Sequence, residues 1–346
     1  MHAKKIGLTL GKFAPLHSGH QYMFETALAE MDEVIVIIYD SPDATAIPLP
    51  VRSGWIQQLY PQIHVIEAWN GPVESGYTPA IMHAQEQYVI GLLKGRTVTH
   101  FYSSERYGDH MSKALQATDR QVDPARVTYP ISGTQIREAA HTHRQFVAPL
   151  VYRDLLTSVV LLGAPSTGKT TLAAALADTY QTVWMPEYGR EYWAQHQQDR
   201  RLAPEQLVEI AEGHIEREDA LCMEANRYLI VDTNAITTSL FAHYYHGAAL
   251  PRLTELAHLA ATRYDLVFLC ETDIPYDNTW DRSGEVHREV FQKQMKADLL
   301  QRKIPFIPLS GSLGQRVAKV EAVLKAYTKY DNLGELWGQR LTKNGI

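Results

Sequence analysis

Residues 163–170 read Gly-Ala-Pro-Ser-Thr-Gly-Lys-Thr, and the spacing is that of a nucleotide phosphate loop. Such a loop turns successive backbone N–H groups onto phosphate oxygens, adds a lysine charge and ends in a hydroxyl suited to Mg²⁺. Gly163, Ser166, Thr167, Gly168, Lys169, Thr170 and Thr171 are therefore the expected ATP contacts of one site. A chemically different loop, Gly-Lys-Phe-Ala-Pro-Leu-His-Ser-Gly-His, fills residues 11–20. Here two imidazoles, His17 and His20, could donate hydrogen bonds to a triphosphate, with charge from Lys12 and close backbone approach at Gly11 and Phe13. In-line attack at an α-phosphorus needs positioning and charge dispersal more than covalent help, and paired imidazoles supply both. Two unlike loops point to two ATP-using sites.

Further groups gather around each loop. The segment Ile131-Ser-Gly-Thr-Gln-Ile-Arg137 reads as a second helix start, capped by Ser132 or Thr134, with Arg137 expected in its first turn as a phosphate clamp. Trp69 and Asn70, with Tyr77, could hold a heteroaromatic ring by stacking and amide hydrogen bonds; a loop covering the core is the competing reading. In the second half, Glu187 and Arg190 follow a short strand, and Leu-Ile-Val-Asp232 leads apolar residues into an acid. Asp232 could join Thr170 at Mg²⁺ or bind the acceptor, and either Glu187 or Asp232 could take the proton of an acceptor hydroxyl. Residues 275–284 read as a lid, with Arg282 facing the transferred phosphoryl group and either Tyr276 or Trp280 stacking on the acceptor.

The elements that must position these groups alternate between strand and helix. Apolar runs at 6–10, 34–39, 64–69, 98–103 and 126–129 predict strands, with helices over 18–31, capped by Ser18, and 80–94. The pattern restarts with strands at 158–162, 227–232, 265–270 and 304–308 and helices over 169–180, 285–303 and 313–327. The fold class expected is α/β in two domains: a Rossmann-like nucleotidyltransferase parallel sheet, then a P-loop kinase parallel sheet. The domains are expected at 1–152 and 153–328, with a polar tail over 329–346.

Composition sets the outer limits. With 346 residues, 45% hydrophobic and 21% charged, the chain has room for two ordinary cores. A net charge of −6 offers nucleic acid or an anionic membrane no general attraction. No apolar stretch approaches the ~20 residues of a membrane span, and the N-terminus enters a strand pattern without a leader, so a cytoplasmic protein is expected. Cys222 and Cys270 share no ligand spacing and read as buried thiols. His243 with His246, and His141 with His143, lack a third ligand at a plausible spacing and read as solvated or helix-packing residues.

Residues 4–145, through the run ending His-Ser-Gly-His and the Ile-Ser-Gly-Thr-Gln-Ile-Arg segment, resemble nucleotidyltransferases with the (H/T)xGH signature, in particular nicotinamide mononucleotide adenylyltransferases. The resemblance implies that His17, His20 and Arg137 contact ATP phosphates. Residues 155–327, through the P-loop, Glu-Tyr-Gly-Arg-Glu, Val-Asp-Thr-Asn-Ala-Ile-Thr-Thr and the lid arginine, resemble the ribosylnicotinamide kinase domain of NadR-type bifunctional proteins. The chain departs from that pattern early in the lid, where Tyr276 stands in place of a tryptophan. Together the halves imply phosphorylation of nicotinamide riboside to the mononucleotide and adenylylation of that product to NAD, with ATP and Mg²⁺ at both steps. Longer members carry an N-terminal helix-turn-helix domain; a first strand at the start of this chain leads to the expectation of no DNA binding. A fusion acting on other substrates, a nucleotide-sensing protein with little turnover, and homo-oligomerisation all stay open at the level of sequence.

Overall fold

The computed structural model describes residues 4–72, 76, 78–104, 108–197, 202–276 and 288–330. They form two compact units that divide between Tyr152 and Arg153.

In the first unit, strands β1 (Ile6–Gly11), β2 (Glu33–Tyr39), β3 (His64–Ala68), β4 (His100–Ser103) and β5 (Thr118–Gln121) make a parallel sheet in the order β3-β2-β1-β4-β5. Residues 34–38 of β2 are all buried, as a strand covered on both faces requires. Helices α1 (Ser18–Glu30), α2 (Leu49–Leu59), α3 (Pro79–Leu93), α4 (Gly108–Ala114) and α5 (Gly133–Glu138) supply the connections, and α6 (Pro149–Leu155) crosses the division between units. From β1 the chain moves to β2 and β3 on one side, then returns to β4 and β5 on the other. The crevice at that switch lies at the carboxyl end of β1, where residues 11–17 sit.

The second unit repeats the architecture. Strands β6 (Thr157–Leu162), β7 (Trp184–Met185), β8 (Tyr228–Asp232), β9 (Leu266–Cys270) and β10 (Ile307–Leu309) pair in parallel in the order β10-β9-β6-β8-β7. Val159 lies opposite Ile230 and Leu266, so β6 is the central strand and the P-loop leaves from the middle of the sheet. Around it stand α7 (Lys169–Tyr180), α8 (Tyr188–His196), α9 (Pro204–Leu221), α10 (Ala235–His246), α11 (Pro251–Ala260), α12 (Arg288–Gln301) and α13 (Leu313–Ala326). Leu172 and Leu176 of α7, and Val320 and Leu324 of α13, close the core over one face of β6.

The α/β class and both parallel sheets agree with the sequence reading; one strand does not. Residues 126–129, expected as a strand, form a turn around Asp123, whose carboxylate accepts the N–H groups of Val127 (2.8 Å), Thr128 (3.0 Å) and Tyr129 (3.2 Å). The true edge strand, β5, reads Thr-Asp-Arg-Gln and is largely exposed, so it carries no apolar signature. Both cysteines are buried, which pushes each thiol up to about 11.

Candidate active sites

Each phosphate loop passes through a non-glycine residue with positive φ and is gripped by two guanidinium groups. In the first unit Phe13 has φ 45°. Arg52, fully buried in α2, donates to the carbonyl of Lys12 just before it, and also to Ile47 O and Tyr39 O at 2.9 Å each. Arg137 donates to the carbonyl of Ala14 just after it and to Thr134 Oγ1 at 3.0 Å. With its carbonyls turned onto arginines, the loop leaves its opposite side for an anion.

Two local expectations are corrected here. The N-cap of α1 is His17, not Ser18, which is already helical and donates its hydroxyl to Phe146 O at 3.0 Å. Of the two candidate caps of α5, Ser132 is the one that serves, accepting from Gln135 N at 3.3 Å. That helix has only six residues, so Arg137 falls in its last turn and reaches back to the loop.

The rings of His17 and His20 stack with centroids 3.6 Å apart, and the buried Phe13 ring meets His20 edge-on. Burial, with the charge of Arg126 nearby, takes His17 down to about 4; His20 is held well below its usual value by burial, then by His17 and Arg126. Both are neutral near pH 7. His20 Nδ1 accepts the N–H of His17 at 3.3 Å, which puts the His20 proton on Nε2 as a donor. Lys12 stays exposed, 3.8 Å from Asp43. Trp69 and Asn70 follow β3 at the carboxyl end of the sheet, the end from which the loop leaves β1. Trp69 is half exposed; its Nε1 donates to Glu67 and its carbonyl accepts from Tyr88 OH at 2.7 Å. Tyr77 lies outside the described residues.

In the second unit the positive-φ residue is Ser166, at 59°. Arg288 donates to Ser166 O at 2.9 Å, and Arg316 to Thr167 O at 2.6 Å. Gln292 adds a two-sided clamp, accepting from Ala164 N at 2.8 Å and donating to Cys270 O at 3.0 Å. Gly163 is required: φ is 142°, and a Cβ there would lie 2.6 Å from Cys270 O. Lys169 folds back over the loop, with Nζ 3.1 Å from both Gly163 O and Ala164 O.

Thr170 and Asp232 meet at the ends of α7 and β8, with Thr170 Oγ1 donating to Asp232 Oδ2 at 2.6 Å. Asp232 is fully buried and its other oxygen has no hydrogen-bond partner; burial first, then Glu187, raises it to about 6. A cleft of about 450 Å³ opens from the P-loop between α8, α9 and α10. Glu187, Arg190 and Tyr276 line it together with Thr170 and Thr171. Trp280 and Arg282 lie outside the described residues. His246, read as a solvated or helix-packing residue, meets Leu202 O through Nε2 at 3.0 Å.

Arg52, Gln292, Arg288 and Arg316 were not legible as loop supports, because each reaches its loop from a distant helix. Arg52 carried the one available signal, a charged residue flanked by apolar ones in Leu-Pro-Val-Arg-Ser-Gly-Trp.

Fold and loops define a two-unit ATP-handling transferase, with a nucleotidyltransferase-type sheet followed by a P-loop sheet. A cytidylyltransferase-like family model matches residues 8–139, and an AAA-domain model residues 158–316. The trifunctional NAD biosynthesis/regulator protein NadR of Escherichia coli (strain K12) is 30% identical over 331 residues, covering 88% of this chain and 78% of the relative. The protein of the same name from Salmonella typhimurium matches equally, at 30% over 331 residues and the same coverages. The chain belongs to the NadR family. Solved structures of NadR in complex with NAD and AMP-PNP, and in complex with NR, share its fold with TM-scores of 0.55 at 23% and 22% identity. Each of those two alignments covers 93% of this chain and 96% of the other.

Proposed function

We propose that the chain is a bifunctional enzyme of NAD biosynthesis, with unit 153–328 phosphorylating nicotinamide riboside and unit 1–152 transferring the adenylyl group of ATP to the resulting mononucleotide. The observation that carries this is the pair of unlike phosphate loops, one in each unit of a NadR-family chain.

In the first unit the α1 N-terminus and the His20 Nε2–H face the triphosphate, and Arg137 fixes the loop beside it from a helix that Ser132 caps. Neutral imidazoles donate to the phosphate without taking up its charge. The mononucleotide oxygen attacks the α-phosphorus in line, and pyrophosphate leaves. Trp69 and Asn70, with Tyr77, are the ring-holding groups.

In the second unit Lys169 leaves its loop carbonyls for the incoming β- and γ-phosphates. Thr170 Oγ1 and the orphaned Asp232 carboxylate oxygen are hard donors side by side in a buried setting, which fits Mg²⁺. When bound, that ion would neutralise charge on the phosphates. Because Asp232 is engaged with Thr170 and Glu187 lines the cleft, Glu187 is the group that accepts the proton of the riboside hydroxyl. Arg190 and Tyr276 line the cleft for the acceptor, with Tyr276 or Trp280 as the stacking aromatic and Arg282 as the group for the transferred phosphoryl. Both steps draw on ATP, and we assign them to the cytoplasm; no described helix is long and apolar enough to cross a membrane.

The test is product identification. Supplied with ATP and Mg²⁺, the protein should convert nicotinamide riboside to the mononucleotide with release of ADP. Supplied with the mononucleotide, it should make NAD and pyrophosphate. Background turnover in both assays, with ATP still bound, would overturn the proposal.

A further inference from the structure

The kinase cleft holds polar groups that phosphoryl transfer does not use. His214 Nε2 on α9 and Thr237 Oγ1 on α10 are buried without a hydrogen-bond partner, and both residues line the cleft at 4% exposure each. Two orphaned polar atoms in one pocket are costly unless a bound molecule satisfies them. Leu207, Ile210 and His214 fall on one stripe of α9, and Thr237 and Phe241 one turn apart on α10, so the polar pair is set among apolar side chains that suit a flat ring.

The charge distribution narrows the ring's substituent. Among the described residues that line the cleft, the lysine and arginine groups are Lys169 and Arg190. Both act on Asp232, and so stand at the end of the cleft where the acceptor hydroxyl meets the phosphoryl group. Around His214 the nearby arginines are already paired, Arg217 with Glu191 at 2.7 Å and Arg263 with Glu218 at 2.8 Å. Burial, then those two arginines, hold the His214 imidazole at about 4, so it is neutral at pH 7.

We infer that His214 and Thr237 are the specificity-determining pair for the acceptor, hydrogen-bonding a carboxamide on its ring and rejecting the carboxylate analogue. The inference rests on the kinase reading above. A carboxamide offers one acceptor oxygen and N–H donors. A neutral imidazole nitrogen and a rotatable hydroxyl complement that set in either histidine tautomer. A carboxylate would instead bring an unpaired charge into the apolar end of the cleft.

The experiment compares nicotinamide riboside with nicotinic acid riboside as phosphate acceptors for the full-length protein, with kcat and KM measured separately. The wild type should favour the amide by roughly 100-fold or more in kcat/KM. His214→Leu should raise KM for the amide by about 10- to 100-fold, leave kcat and the KM for ATP within a few-fold, and narrow the discrimination. Thr237→Val, close to isosteric, should act in the same direction and reads out the pocket even where His214→Leu folds poorly. His214→Gln should recover part of the lost amide affinity, which a purely structural role would not give. Equal use of both ribosides by the wild type overturns the inference while leaving the kinase reading intact. So does an unchanged amide KM in Thr237→Val together with folded His214→Leu. Phosphorylation of neither riboside overturns the kinase reading itself, a distinguishable result.

Discussion

The two phosphate loops share a frame and differ in what they turn toward the nucleotide. Each bends through a strained non-glycine residue, Phe13 or Ser166, and each has carbonyls pinned by a pair of arginines from later helices. In the first, the groups beside the helix start are neutral histidines, one of them serving as the helix N-cap. In the second, a lysine resting on loop carbonyls and a hydroxyl bonded to a buried carboxylate stand in the same relation to the helix. The frame solves a problem common to both, since backbone strain persists only where surrounding contacts over-determine it. The difference follows the reacting phosphorus. A γ-phosphoryl group shedding charge through a loose transition state calls for cations, whereas oriented neutral donors serve attack at the α-phosphorus.

The largest effects should come from the groups that set the loops apart. Lys169→Ala should lower riboside phosphorylation by roughly 10²- to 10³-fold or more and leave adenylyl transfer to supplied mononucleotide unchanged; His20→Ala should do the reverse. Loss of both activities in either folded variant would mean one shared site and dissolve the comparison.

The shared frame gives the next test. Arg52→Met should cut adenylyl transfer, and Arg316→Met riboside phosphorylation, each by about 10- to 100-fold and each without affecting the other reaction, because a loop shifted by an ångström misplaces the phosphate. Each variant also strands carbonyls that were bonded, and urea unfolding should report a loss of about 2–3 kcal/mol.

Acid sharpens the likeness. His17 in one unit and His214 in the other are both held at about 4, against 6.5 when free. Between those values the unfolded chain binds protons that the folded chain does not. Stability is therefore full above pH 6.5 and falls as the pH drops toward 4, by about 1.4 kcal/mol per pH unit for each histidine. Urea titrations of His17→Leu and His214→Leu between pH 7 and 4.5 should each show a shallower slope than the wild type. An unchanged slope in both would mean these imidazoles are charged in the folded protein. Adenylyl transfer should likewise show no acid limb from His17 or His20 near pH 6.5.

The smallest effect is expected at Ser132, whose hydroxyl caps a six-residue helix. Ser132→Ala should cost about 1 kcal/mol and weaken adenylyl transfer a few-fold, with phosphorylation untouched. An equal loss in phosphorylation would contradict the separation of the two loops.

Residue order was enough to locate both loops, the parallel sheets that carry them and the acid at the end of β8, because those features are local. A phosphate loop is a run of adjacent residues, and a strand buried on both faces announces itself as an unbroken apolar run, as 34–38 and 158–162 do. The polar edge strand β5 has no such mark, whereas residues 126–129, strand-like in their residues, form the turn around Asp123. What only the packed chain decided is which side chains reach those loops and in what ionisation state. Arg316 meets Thr167 across 149 positions and Arg52 meets Lys12 across 40. His17 and His214 are neutral because burial strips their water, and burial belongs to the assembled fold, not to any stretch of sequence.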